Sequence, residues 1–152
     1  MPSPFSDDEI TRLRVAVARI ARQVDRQVSG EGMTPTQMAV LSSIVRLGPF
    51  SASELAETEG INPTMLSRVL GKLEAAELIT RTPDPDDRRS LRVAATRRGT
   101  ALQNRLRKQR AALFAERLAE LGDDHVALLQ SALPALESLA TLMMPSPVRV
   151  GR

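Results

Sequence analysis

The sequence predicts a mainly α fold with a small β element (α+β), and three observations predict it. From Ser51 to Ala76 the pattern is helix, tight turn, helix; from Leu78 to Ala95 it is a hairpin with a charged tip; on either side, apolar residues recur at helical spacing over long stretches. At 152 residues the chain makes one domain, 1–152, with a central helix-turn-helix and hairpin segment at 34–96 and flanking helices at 6–30 and 100–144.

The first helix starts at Ser6-Asp7-Asp8-Glu9, a capping box whose acidic first turn complements the helix dipole. It carries Ile10, Leu13, Val17, Ile20, Ala21, Val24 and Val28 on one stripe and is expected to end near Gly30. Thr34-Pro35-Thr36-Gln37 starts the second in the same way, and Met38, Leu41, Ile44, Val45 and Leu47 make it apolar over a wide arc, the mark of a central helix. Gly48-Pro49 stops it, and Phe50 is expected to join the hairpin as a third strand.

Ser51 and Glu54 form another capping box, and Gly60 ends that third helix in the left-handed conformation. Asn62 then caps and Pro63 opens the fourth helix, where Leu66, Val69, Leu70 and Leu73 make an apolar stripe. Opposite lie Thr64, Arg68 and Gly71, flanked by Met65, Ser67 and Lys72. Such a polar face has the inventory of a major-groove reader and equally that of an ordinary amphipathic helix.

The hairpin tilts the balance. Its connecting segment, Thr82 to Arg89, is all turn formers and charge, and a rigid tip projecting Arg88 and Arg89 suits entry into a minor groove. Helix-turn-helix plus basic β-wing is the winged helix-turn-helix arrangement. Asp87 is expected to pin the guanidinium of Arg89 rather than to touch DNA. Between Asn62 and Arg110 there are 12 basic and 5 acidic residues, a net of +7 in a chain of net +3, so positive charge gathers on the segment proposed to meet DNA. Basic clusters also mark membrane surfaces or plain solvated faces.

Thr96 caps a fifth helix whose start is dense in arginine, against the dipole. Nearby phosphates would account for Arg97 and Arg98, as would a solvated face. Leu102, Leu106, Leu113, Leu118 and Leu121 follow as a seam; Gly122 breaks it, Asp123 re-caps, and Val126 to Met143 form a sixth helix in which Pro134 should kink or interrupt the pattern. The tail PSPVRVGR is read as disordered. The apolar residues of the terminal helices exceed what one small winged domain covers, which predicts a homodimer.

The run INPTMLSRVLGKLEAAELITRTPDPDDRRSLRVAAT resembles the signature segment of MarR-type transcriptional regulators, with Asp87, Arg88 and Arg89 on the wing and Thr96-x-x-Gly99 opening the next helix. The resemblance extends from TPTQMAVLSSI at Thr34 through the helix after the wing. Ala95 stands where the family usually has Leu, which loosens packing, and Met65 where it often has Thr, which bears on base reading. The resemblance implies two interleaved protomers, each with a winged helix-turn-helix DNA-binding domain, a short three-stranded β-wing and dimerisation helices. It implies a palindromic double-stranded operator, action as a repressor, and release by a small-molecule effector or a stress signal. The DNA-binding site it implies comprises Asn62, Pro63, Thr64, Met65, Ser67, Arg68, Lys72, Arg88, Arg89, Arg97 and Arg98, with Asp87 belonging to it as the orienter of Arg89. The family's pocket corresponds to the regions of Val17, Ile20, Met38, Leu41, Leu113 and Phe114, positions equally explained as core. A winged-helix protein-interaction module without sequence-specific DNA binding is the alternative, which the basic segment and the arginine-tipped wing count against.

No cysteine is present, which excludes disulfides and thiol redox sensing. His125 is the only histidine, so no triad or metal cluster is built on it, and no cofactor, metal or catalysis is expected. Three phenylalanines argue against base stacking on single strands. No stretch reads as a membrane span of about 18 apolar residues, and the expected location is cytoplasmic.

Overall fold

The computed structural model describes residues 4–28, 32–87 and 89–143, so the tail after Met143, the expected helix end at Gly30 and Arg88 lie outside the described residues. The elements are α1 (Asp7–Gln27), α2 (Pro35–Leu47), β1 (Phe50–Ser51), α3 (Ala52–Glu59), α4 (Pro63–Ala75), β2 (Ile79–Pro83), β3 (Leu91–Ala95), α5 (Arg97–Ala119) and α6 (Asp123–Met143). Capping boxes close the N-termini of α1, α2 and α3 as their sequences require, and Gly60 ends α3 at φ 63°. At the first of these, the N–H and hydroxyl of Ser6 hold the Glu9 carboxyl below its usual range. That contribution to stability is present above the ordinary carboxylate pKa and is lost as pH falls through the depressed one.

The strands form one antiparallel sheet in the order β1-β3-β2, with Phe50 opposite Val93 and Arg81 opposite Val93 from the other side. Packed on it, α2 is the hub, in contact with α3, α4, α5 and β3. Val40 and Leu41 from α2, Leu55, Leu66, Leu70, Leu73, Ile79, Val93 and Leu106 are almost wholly buried. These side chains exclude water from a single core, and their burial is the main favourable term holding the reader together. The strand alternation in β3 is only half realised: Val93 is buried, but Leu91, opposite Pro83 near the tip, is exposed because the wing extends beyond the core.

The helix after the wing is anchored tightly. Thr96 donates its N–H to the carbonyl of Leu78 at 3.0 Å and its hydroxyl to that of Glu77 at 2.7 Å, while Arg98 reaches the Glu77 carboxylate at 3.2 Å. Glu77 sits at φ 60°, the left-handed position more often given to glycine after a helix. Gly99 lies so close that a β-carbon there would stand 2.0 Å from the Leu78 carbonyl oxygen.

Two departures concern α6. The helix runs through Pro134 without ending, so the proline removes one ladder hydrogen bond but does not interrupt the element. By length and composition α6 is also long and apolar enough to cross a membrane, contrary to the expectation that no stretch would be. None of α6 is buried, and none of α1 either, although Ile10, Leu13, Val17, Ile20, Leu129, Leu133 and Leu139 lie on them.

Candidate nucleic-acid interface

The reading helix α4 is held by the buried stripe Leu66, Val69, Leu70 and Leu73, which leaves Thr64, Met65, Ser67, Arg68 and Lys72 exposed on its other side. Asn62 uses its side-chain oxygen to accept the Met65 N–H at 2.8 Å, so its carboxamide NH₂ is what it can offer a base or phosphate. Pro63 occupies the first turn and is exposed. Met65 is 44% exposed and presents an apolar, polarisable side chain on this face.

At the wing tip, Asp87 does orient its neighbour, but through the backbone: its carboxylate accepts the N–H of Arg89 at 3.0 Å, and its carbonyl accepts the N–H of Ser90 at 2.9 Å. The expected link was to the Arg89 guanidinium. A short Asp side chain reaches an amide two residues on more readily than the end of a long arginine, which is the Asx-turn habit. Arg89 is exposed, as is Arg97. Arg98, also exposed, is paired with Glu77 and so helps fasten α5 to the end of α4.

Arg81, on β2, was not among the sequence-derived contacts. Its Nε and Nη2 lie 3.0 and 2.9 Å from one carboxylate oxygen of Glu74, which sets the guanidinium beside Gly71 on the flank of the reading helix. With Ala52, Ser53, Ser67 and Leu70 among its neighbours it lines a shallow groove of about 140 Å³ between α3 and α4. The i, i+7 relation of Glu74 and Arg81 crosses from helix to strand, so no single-element periodicity could have found it.

The ligand-pocket residues divide. Val17, Ile20 and Phe114 line an open apolar hollow of about 360 Å³ between α1 and α5, together with Ala21, Val24, Asp25 and Arg110. Met38 and Leu41 are core instead, and Leu113 packs against that core. The hollow's polar rim is Arg110, 3.9 Å from Asp25 and 3.7 Å from the Met38 sulfur.

The model of the MarR family matches residues 33–91, from just before α2 to the first residue of β3. Among curated relatives, the HTH-type transcriptional repressor MdtR of Bacillus subtilis is 28% identical over 128 residues, 84% of this chain and 81% of that protein. Among solved structures, a transcriptional-regulator protein from Pseudomonas aeruginosa PA01 superposes with a TM-score of 0.77 at 30% identity, covering 91% of this chain and 98% of that one. The reduced form of MarR from E. coli superposes at 0.71 with 26% identity, covering 82% and 95%. With the signature segment, the three-stranded wing and the relatives in agreement, the chain belongs to the MarR family and is a non-enzymatic transcriptional regulator whose winged helix binds DNA.

Proposed function

We propose that the protein is a cytoplasmic homodimeric repressor that binds a palindromic double-stranded operator and is released by a small ligand or a stress signal. The observation that carries this is the bare apolar surface of α1 and α6, two helices of 21 residues with no buried residue in either. Neither helix holds itself in water by propensity alone, and a second copy of the same surfaces is the economical cover. A soluble dimer also accounts for the apolar length of α6 without a membrane. In this arrangement 6–30 and 100–144 are the dimerisation segments and 34–96 the reader. Two readers related by a two-fold axis address half-sites about one helical turn apart. The name of MdtR, a repressor, favours the same sign of regulation here. An apolar hollow at the root of α1 and α5 is the natural entry for a ligand that alters the spacing of the two readers.

The reader is tested by contrasting Arg68 with Arg89. Arg68 lies on the exposed side of α4 and meets a base edge, whereas Arg89 on the wing enters the minor groove, where discrimination is coarse. Arg68→Ala should cost about 1 to 3 kcal/mol on an operator selected from random DNA and much less on scrambled duplex. Arg89→Ala should weaken both evenly and lower the salt slope by about one. Fluorescence anisotropy at several salt concentrations measures this. Equal losses on both duplexes for Arg68→Ala would make it a phosphate anchor and pass base reading to Asn62, Thr64, Met65 and Ser67.

With no thiol in the chain, an oxidative signal has to act elsewhere, and Met65 is the exposed sulfur on the reading face. Peroxide converts its thioether to a sulfoxide with release of water, replacing an apolar contact with a polar one. Mild peroxide should weaken operator binding, and Met65→Leu should resist it. An identical response in that variant would remove Met65 from the account.

A further inference from the structure

The wing tip is wound around one carboxylate. Asp84 Oδ1 accepts the backbone N–H of Asp86 at 2.8 Å and that of Asp87 at 3.3 Å. Its Oδ2 lies 3.6 Å from Arg92 Nη1 on the opposite strand, and its own N–H donates to the carbonyl of Ser90 at 3.0 Å. The Asp84 side chain is only 15% exposed, while Pro85, Asp86, Asp87 and Arg89 around it are exposed. Of the three aspartates in this loop, then, one is turned inward with its oxygens already engaged. Such a carboxylate does not face the phosphates. It determines the path of the loop that does.

We infer that Asp84 is a positioning residue for the wing's contact with DNA, an inference that rests on the DNA-binding reading of the wing. Pro83 and Pro85 restrict φ on either side of it, and its carboxylate then satisfies two consecutive N–H groups that would otherwise compete for water through many loop conformations. From there the order passes along the chain: the backbone at Asp87 is fixed, and the Asp87 carboxylate holds the N–H of Arg89. Arg89 therefore presents its side chain from a preset backbone, and DNA binding does not have to supply the ordering of the loop. Arg92 contributes charge compensation from a partly exposed position, where an ion pair counts for little by itself.

Asn keeps an Oδ1 acceptor and loses only the charge, whereas Ala loses both, so the two substitutions separate geometry from electrostatics. Hydrogen exchange at the amides of Asp86 and Asp87, and anisotropy with a mixed-sequence duplex, are measured for the full-length protein. In Asp84→Ala the two amides should exchange about tenfold faster, and affinity for the duplex should fall roughly tenfold although a negative charge has been removed. Asp84→Asn should stay within about threefold of the wild type on both counts. In an Arg89→Ala background, Asp84→Ala should cost little more, because its effect acts through Arg89. Unchanged or tighter binding by Asp84→Ala would overturn the inference, and so would an Asn variant that exchanges as fast as the Ala variant. Wild-type protein that bound no duplex would overturn the DNA reading instead, and the exchange rates would still decide whether Asp84 orders the tip.

Discussion

Gly99→Ala should be among the most damaging single changes the reader can suffer, lowering unfolding free energy by about 3 kcal/mol or more. The added methyl would meet the Leu78 carbonyl oxygen at 2.0 Å and its carbon at 3.0 Å, and both are backbone atoms with no rotamer to give way. To relieve the overlap, α5 would have to lift from the turn that joins α4 to β2. That movement would break the bonds from Thr96 to Leu78 and Glu77, and it would pull Leu102 and Leu106 out of the core. Urea denaturation followed by circular dichroism measures the loss. Gly122→Ala, where an added β-carbon meets nothing within 4 Å, is the control and should be nearly silent. Equal stability of the two variants would mean that the α4–α5 joint is looser than its geometry indicates.

The second large effect is expected at the uncovered helices. Leu13→Glu on α1 or Leu133→Glu on α6 places a carboxylate in the middle of an exposed apolar stripe, at residues 39% and 52% exposed in the single chain. Neither substitution falls on a residue of the reader's core, since neither helix has a buried residue and, of the two, only α1 packs against the core, through Val24. In the proposed dimer each becomes a buried unpaired charge, present twice by symmetry, and the interface should fail. Light scattering should then report a monomer. Operator affinity should drop on the order of 100-fold or more, because each reader loses the effective concentration that its partner supplied. A variant that remained dimeric and bound the operator normally would show that these stripes are covered in some other way.

How much of this was legible beforehand depended on the range of the interaction concerned. Caps, turns and stripes are short-range: Ser6, Thr34, Ser51, Asn62 and Thr96 each bond an amide three residues on, and Gly60 takes the left-handed turn that its lack of a side chain permits. Their chemistry is complete within four residues, so a linear reading recovers them. The buried face of α4 follows from period alone, and so do the outward positions of Thr64, Met65, Ser67 and Arg68. Even the third strand at Phe50 was foreseen.

What failed or went unseen involves partners far apart in sequence or choices among chemically equal neighbours. Glu74 and Arg81 meet only because β2 folds back along α4, and Gly99 is essential only because Leu78 lies against it. Met38 and Leu41 look as suitable for a pocket as Val17 and Ile20, until the placement of α2 at the centre of the reader buries the first two and the bare side of α1 leaves the others open. Among Asp84, Asp86 and Asp87, composition cannot rank one above another, since all three are turn-forming carboxylates within four residues. The hairpin register, with Pro83 opposite Leu91 and Thr82 opposite Arg92, turns Asp84 inward and leaves the other two at the surface. By itself, then, the sequence determined the elements, their ends and the family, because those follow from backbone chemistry and period; which side chains meet across elements was decided only in the tertiary structure, where packing brings residues 7 to 72 positions apart to within one contact distance.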